Sequence, residues 1–179
     1  MNTSVMASVQ KSVGRVLCYA FLLASVAGVG LHYFPIPCEA GTPSSLARSM
    51  LTAHNNVRTK VKVPPLEWSD TLAAHAQEWA STLLSRREFF HRPDSRYGEN
   101  LFEIRGASAQ PAEVVKAWAS EERNYNYQTN SCSGACGHYT QIVWRSTRKL
   151  GCAVALGGGR EVWVCNYDPP GNWAGEWPY

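Results

Sequence analysis

The chain has 179 residues with an ordinary apolar fraction, enough for one domain built on one core. Seventeen Lys and Arg against 14 Asp and Glu leave a net charge of +3. The charge is spread along the chain with no polybasic run, which argues against a nucleic-acid-binding protein.

Residues 1–40 have the layout of a secretory leader. Lys11 and Arg15 precede an apolar run from Val16 to Phe34, and no acidic residue occurs before Glu39. Two cleavage points fit. Ser25-Val26-Ala27 leaves an apolar core of normal length. Cys38-Glu39-Ala40 removes Cys18 and Cys38 together and leaves an even set of cysteines, as an oxidising compartment favours. The parity argument tips the reading toward Ala40. The run is close to the about 20 residues that span a bilayer, so a retained anchor is the alternative, weakened by Gly28, Gly30 and His32. Either way the folded domain is expected outside the cell, and membrane contact is expected only through this segment or a bound ligand.

Residues 41–45 form a short linker, and the domain is expected over 46–179. Ser44 or Ser45 can cap a first helix whose apolar stripe is Leu46, Met50, Ala53 and Val57; Pro64-Pro65 ends that region. Ser69 then caps a second helix running to about Leu84, with Leu72, Ala76, Trp79 and Leu83 as its buried stripe. His54 and His75 lie on or beside these stripes and are read as packing or surface histidines. A polar loop, broken by Pro93, carries His91. Tyr97-Gly98-Glu99-Asn100 follows, with Gly98 allowing a sharp turn or close backbone approach.

Pro111 opens a third helix to about Arg123, on which Val114, Trp118 and Glu121 share a face. Periodicity leaves open whether Glu121 points inward or is solvated with Glu122. Tyr125 to Gly137 is loop-like, and Cys132 and Cys136 can close a small ring in it. A short helix is expected over Tyr139 to Trp144. Two strands, Leu150 to Leu156 and Glu161 to Asn166, join through Gly157-Gly158-Gly159; a two-residue turn at Gly158-Gly159 sets Cys152 directly across from Cys165. A zinc site of Cys132, Cys136 and His138 is the rival use of the first two thiols. The tail from Asp168 to Tyr179 is full of helix and strand breakers and is expected to be extended and pinned by its aromatic rings. Helices alternating with few strands give an α+β fold with α-β-α layering.

Tyr97-Gly98-Glu99-Asn100-Leu101, Gly137-His138-Tyr139-Thr140-Gln141-Ile142-Val143-Trp144, Gly151-Cys152 and Val164-Cys165-Asn166-Tyr167-Asp168 together resemble the CAP superfamily, which joins cysteine-rich secretory proteins, antigen 5 and pathogenesis-related 1 proteins. The ending through Gly171-Asn172-Trp173 and Pro178-Tyr179 looks most like the pathogenesis-related 1 members. The resemblance implies an α-β-α sandwich around a small central antiparallel sheet, with a cleft holding two histidines and two glutamates. Matched by motif, these are His91, Glu99, Glu121 and His138. It also implies a third disulfide in plant relatives; here Arg87 and a glycine near Gly157 stand in place of that cysteine pair.

Two imidazoles with carboxylates behind them suit zinc or another divalent cation, with His91 and His138 as ligands and water completing the shell. No His-Glu-x-x-His and no Gly-x-Ser-x-Gly occurs, and paired cysteines leave no free thiol, although Ser95 lies close to His91 in the chain. A binding protein is therefore favoured over an enzyme. The resemblance implies a monomer that takes a sterol or fatty acid into a groove and serves defence, with the Tyr125 to Tyr139 run as one candidate wall and simple packing of those rings as the alternative. A hydrolase using metal-activated water at the four residues is the runner-up. A third expectation is a precursor that releases Pro169 to Tyr179 after the Cys165-Asn166-Tyr167-Asp168 motif.

Overall fold

The computed structural model describes residues 44–179. The expected leader with both cleavage points, Cys18 and Cys38, and the linker up to Pro43 lie outside the described residues. Ser44 and Ser45, placed in the linker from sequence, begin the fold instead. The Ser44 hydroxyl accepts from Ala47 N at 3.1 Å and caps α1, Ser45–Lys60. The buried face of α1 is Ala47, Met50, His54 and Arg58, turned by about one residue from the expected stripe; Leu46, Ala53 and Val57 are only partly buried. Two polar side chains hold core positions because both are satisfied there. His54 bonds the Met50 carbonyl at 2.8 Å and the Tyr167 hydroxyl at 2.9 Å. Arg58 donates to the carbonyls of Pro64, Ile142, Trp144 and Thr147 at 2.7–3.1 Å. Burial, with Arg148 nearby, lowers its pKa to about 10.

After the two prolines comes β1, Glu67–Trp68, and then α2, Asp70–Arg86, capped by Ser69. Arg87 ends α2 in the left-handed conformation, φ 59°. Next are β2, Gly98–Arg105, and α3, Pro111–Ala119. The third helix, expected to run to about Arg123, stops being α-helical at Ala119 and tightens into a 3-10 turn over Ser120–Asn124. A small ladder of β3, Tyr125–Asn126, and β4, Ser131–Cys132, interrupts the expected loop. The short helix α4 spans Gly137–Ile142, two residues earlier at each end than expected. The final hairpin is β5, Lys149–Gly157, and β6, Arg160–Asp168.

The main sheet has the order β1-β5-β6-β2. β5 and β2 flank β6 antiparallel, and β1 adds a two-residue parallel edge beside β5. Gly158 and Gly159 make the two-residue turn at φ +57° and +71°, a conformation that other residues adopt only under strain. That turn sets Cys152 against Cys165, and the two are disulfide-bonded.

Alternation along the strands feeds two cores. Ala153, Ala155, Val162, Val164 and Leu101 pack under Ala76, Trp79, Ala80 and Leu83 of α2. Leu150, Cys152, Trp163, Cys165 and Tyr167 face Met50 of α1, Val114 and Trp118 of α3, and Tyr139 and Ile142 of α4. This is the expected α-β-α sandwich. At Gly151 α2 comes so close that an added Cβ would lie 2.2 Å from the Ala73 nitrogen, so only glycine fits.

Candidate functional site

β2 ties together the parts that carry the four expected residues. In its register Glu99 lies opposite Asn166 and Leu101 opposite Val164, which places Glu99 on the sheet face that α2 covers. Asn100 and Gly98 alternate to the other face. There Asn100 Nδ2 donates to the His138 carbonyl at 3.1 Å and to the Tyr167 hydroxyl at 3.0 Å. A Cβ on Gly98 would lie 2.2 Å from Gln141 Oε1, so a side chain here would have to push the buried Gln141 off its hydrogen bonds to Thr147 and Gly171. The close approach expected of Gly98 is therefore what the structure uses, with no turn there.

The four residues form two His–Glu pairs. Trp79 Nε1 donates to the Phe90 carbonyl at 3.2 Å and fixes the loop after α2. His91, on that loop, places Nδ1 2.9 Å from Glu99 Oε1, and Arg92 N donates to the same oxygen at 3.0 Å. The imidazole is 65% exposed and the carboxylate only 5%. Glu99 Oε2 is buried with no hydrogen-bond partner. The hydrogen bond to Glu99 raises the His91 pKa from its ordinary value, with partial burial opposing it.

The second pair is built on a helix start. Glu121, in the 3-10 turn, accepts from His138 N at 2.9 Å and from His138 Nδ1 at 2.7 Å, with a longer contact from Tyr139 N at 3.4 Å. One carboxylate thus satisfies the free N–H groups at the start of α4 and orients the imidazole. Glu121 is inward-pointing and Glu122 exposed, which settles the choice that periodicity left open. His138 stacks on Trp118 at 6.0 Å between ring centres, and Trp118 Nε1 donates to the Leu101 carbonyl at 3.0 Å.

In both pairs a neutral ring donates its Nδ1–H to the carboxylate, leaving the Nε2 lone pair available. This is the tautomer a metal ligand needs. Among the described residues, however, no group of three or more His, Cys, Asp and Glu side chains is close enough to hold a metal ion together. An ion at this site would be held by fewer than three of these side chains, with water for the rest. The rival zinc set fails outright, because Cys132 and Cys136 are joined to each other.

Hollows of about 420 to 620 Å³ open on the described surface, and none of these is lined by the four residues themselves. One of about 420 Å³ adjoins the His138 pair through Gly137 and Thr140, with Tyr125, Trp144, Trp173 and Pro178 among its walls. The tail makes one of those walls. Asn172 donates to the Gly137 carbonyl at 2.9 Å and accepts from Thr140 Oγ1 at 2.7 Å. Trp177 Nε1 donates to the Tyr127 carbonyl at 2.8 Å, and the Tyr179 ring stacks on Tyr127 at 4.7 Å. The tail is pinned as expected, though Trp173 and Trp177 remain about half exposed, at 56% and 51%. Asn100, Gln141, Asn172 and Arg58, which position these groups, were not singled out from sequence. Asn100, Gln141 and Asn172 stand inside the motifs quoted above, so for all but Arg58 a signal was there.

A three-layer α+β domain with a Gly-Glu-Asn strand start and a His-bearing helix start beside it defines a class, and residues 51–167 match the family described as CAP: cysteine-rich secretory protein family. The chain belongs to that family. Within it, pathogenesis-related protein 1 of Arabidopsis thaliana is 44% identical over 167 residues, covering 92% of this chain and 99% of the relative. Pathogenesis-related protein 1A of Nicotiana tabacum is 46% identical over 163 residues, covering 89% and 94%. Among solved structures, the Schistosoma mansoni venom allergen-like protein 4 is 27% identical with a TM-score of 0.65, covering 76% of this chain and 95% of that one.

Proposed function

We propose that this CAP protein is exported, serves in defence, and takes a sterol or fatty acid into the hollow between the Cys132–Cys136 ring and the C-terminal tail. The observation that carries the reading is the hollow of about 420 Å³ itself, walled by Tyr125, Trp144, Trp173 and Pro178 beside the His138–Glu121 pair. Aromatic and proline walls with a few polar groups among them, Asn130, Thr140, Asn172 and Glu176, suit an apolar ligand bearing one hydroxyl or carboxyl. The defence role is supported by the pathogenesis-related relatives, and export by the leader-like residues 1–40 and two disulfides of a kind that persist outside the cell. Purified protein lacking residues 1–40 is expected to displace a fluorescent sterol or fatty acid from competing vesicles, and Trp173→Ala to weaken this about five- to tenfold. Failure of every sterol and fatty acid to bind up to its solubility limit would remove the reading.

A divalent cation on the imidazoles is a second reading, supported by the Nδ1-anchored rings and by Glu99 Oε2, a buried oxygen without a partner. When bound, such an ion supplies a Lewis acid and an acidic water; Glu99 and Glu121 hold the Nδ1 protons in place. Zinc is expected to bind stoichiometrically in calorimetry, and His138→Ala to abolish that binding. Unchanged zinc uptake in His138→Ala would end the reading. The hydrolase alternative stands only if turnover of some ester or peptide is found and is lost with the same substitution.

A further inference from the structure

The glycine turn of the β5–β6 hairpin borders a cationic hollow that neither His–Glu pair uses. Arg87 and Gly157 both line one hollow of about 430 Å³. Arg105 and Arg160 line it with them, and Gly158 and Gly159 leave bare backbone along its edge. A Cβ at either of those two glycines would meet nothing within 4 Å, so the approach there is open.

The charge is uneven. Glu103 is the carboxylate that bonds these arginines: Oε1 accepts from Arg105 Nε, and Oε2 from Arg160 Nη2 at 2.6 Å. That leaves three guanidiniums against one carboxylate. Arg160 is 7% exposed and fixed, donating also to the carbonyls of Leu83 at 3.1 Å and Glu88 at 2.5 Å. Its Nε–H is buried and has no acceptor. Arg105 is 68% exposed and keeps both Nη groups uncommitted. The Arg87 side chain donates to no other described residue.

One anchored arginine and two exposed ones around a hollow match a tetrahedral dianion. Guanidinium forks bind such oxyanions through paired N–H groups, and an excess of two positive charges balances a phosphomonoester better than a monoanionic carboxylate. We infer that this hollow is a phosphate site, for a phosphomonoester either free in solution or carried by a lipid headgroup. The lipid source has one feature in its favour. Phe89 and Phe90, 46% and 41% exposed, follow directly on Glu88, whose carbonyl holds Arg160. Exposed apolar rings one and two residues along the chain from an anchor of the phosphate hollow are a pairing an anionic lipid surface engages.

The test uses the purified protein at constant ionic strength. Titration with inorganic phosphate, followed by calorimetry or by NMR of the arginine side chains, is expected to give saturable binding that chloride and acetate do not reproduce. Arg87→Ala and Arg105→Ala are each expected to weaken it about tenfold, the size of one lost charge-assisted contact, with unchanged thermal midpoint and unchanged sterol binding. A parallel arm measures sedimentation with phosphatidylcholine vesicles with and without phosphatidic acid. Arginine-dependent binding to the phosphatidic acid vesicles assigns a lipid source, and binding to inorganic phosphate alone assigns a free one. Phosphate binding no tighter than chloride together with no preference for phosphatidic acid would overturn the site. So would equal binding by the arginine variants.

Discussion

The two His–Glu pairs use the same atoms for different purposes. In the Glu121–His138 pair both carboxylate oxygens are occupied, and they hold the first turn of α4 as well as the ring. In the Glu99–His91 pair one oxygen does all the bonding, the other is buried and bare, and the ring stands in solvent. The first arrangement is structural first and chemical second. The second holds a desolvated carboxylate oxygen in reserve, which is the condition in which a side chain has most to gain from a ligand or a proton.

The sharpest way to break this contrast is to remove each acid. Glu121→Ala should lower the unfolding free energy by about 3 kcal/mol in urea denaturation, through the lost helix-start and charge-assisted hydrogen bonds. A loss below about 1 kcal/mol would mean that α4 does not depend on it. Next in size is a pH effect from His54, which also packs near Trp118, 6.1 Å between ring centres. Burial drives its pKa down to about 4. The folded protein therefore holds it neutral while the unfolded chain protonates near 6.5, so stability falls as pH drops below 6.5. The expected loss is about 2 kcal/mol between pH 7 and pH 5, and His54→Gln should flatten that slope.

Glu99→Ala should cost less, about 1 kcal/mol, because removing a half-satisfied buried carboxylate also removes its desolvation penalty. A cost equal to that of Glu121→Ala would erase the distinction between the pairs. Smallest is His91→Ala, within about 0.5 kcal/mol, as for other exposed ion pairs. Its sign is opposite to that of His54. The raised pKa of His91 gives stability that is present below about 6.5 and fades as pH rises through the folded value. A pH scan of the variant against the parent should show the difference vanish on the alkaline side.

Much of this was legible in the sequence where local chemistry decides geometry. Gly158-Gly159 dictates a two-residue turn, and that turn alone pairs Cys152 with Cys165. The α2 stripe was legible because Leu72, Ala76, Trp79 and Leu83 are apolar without exception. The buried face of α1 departs by one residue from its apolar stripe, because two of its core positions are His54 and Arg58, which hydropathy assigns to solvent and which a distant hydroxyl and distant carbonyls make tolerable. β2 does not announce itself as a strand locally, since Glu99 and Asn100 at its start break apolar alternation with polar groups that find partners across the fold. β1 is two residues long and exists by pairing with β5, so nothing local announces it. The site residues themselves came from motif resemblance. What resemblance did not convey is that they are arranged two by two, an outcome set by β2 carrying Glu99 on one face and Asn100 on the other.

The anchored tail has a consequence for the idea that Pro169 to Tyr179 leaves as a peptide. Trp173 and Pro178 form part of the hollow, and Arg145 N and Asn130 Nδ2 give their hydrogen bonds to the carbonyls of Pro178 and Glu176. Cutting after Asp168 and losing the fragment would strip that wall away and leave Tyr139 and Trp144 uncovered. Release of a signalling peptide and the proposed lipid binding would therefore draw on the same eleven residues. A molecule filled with lipid should resist the protease that an empty one admits.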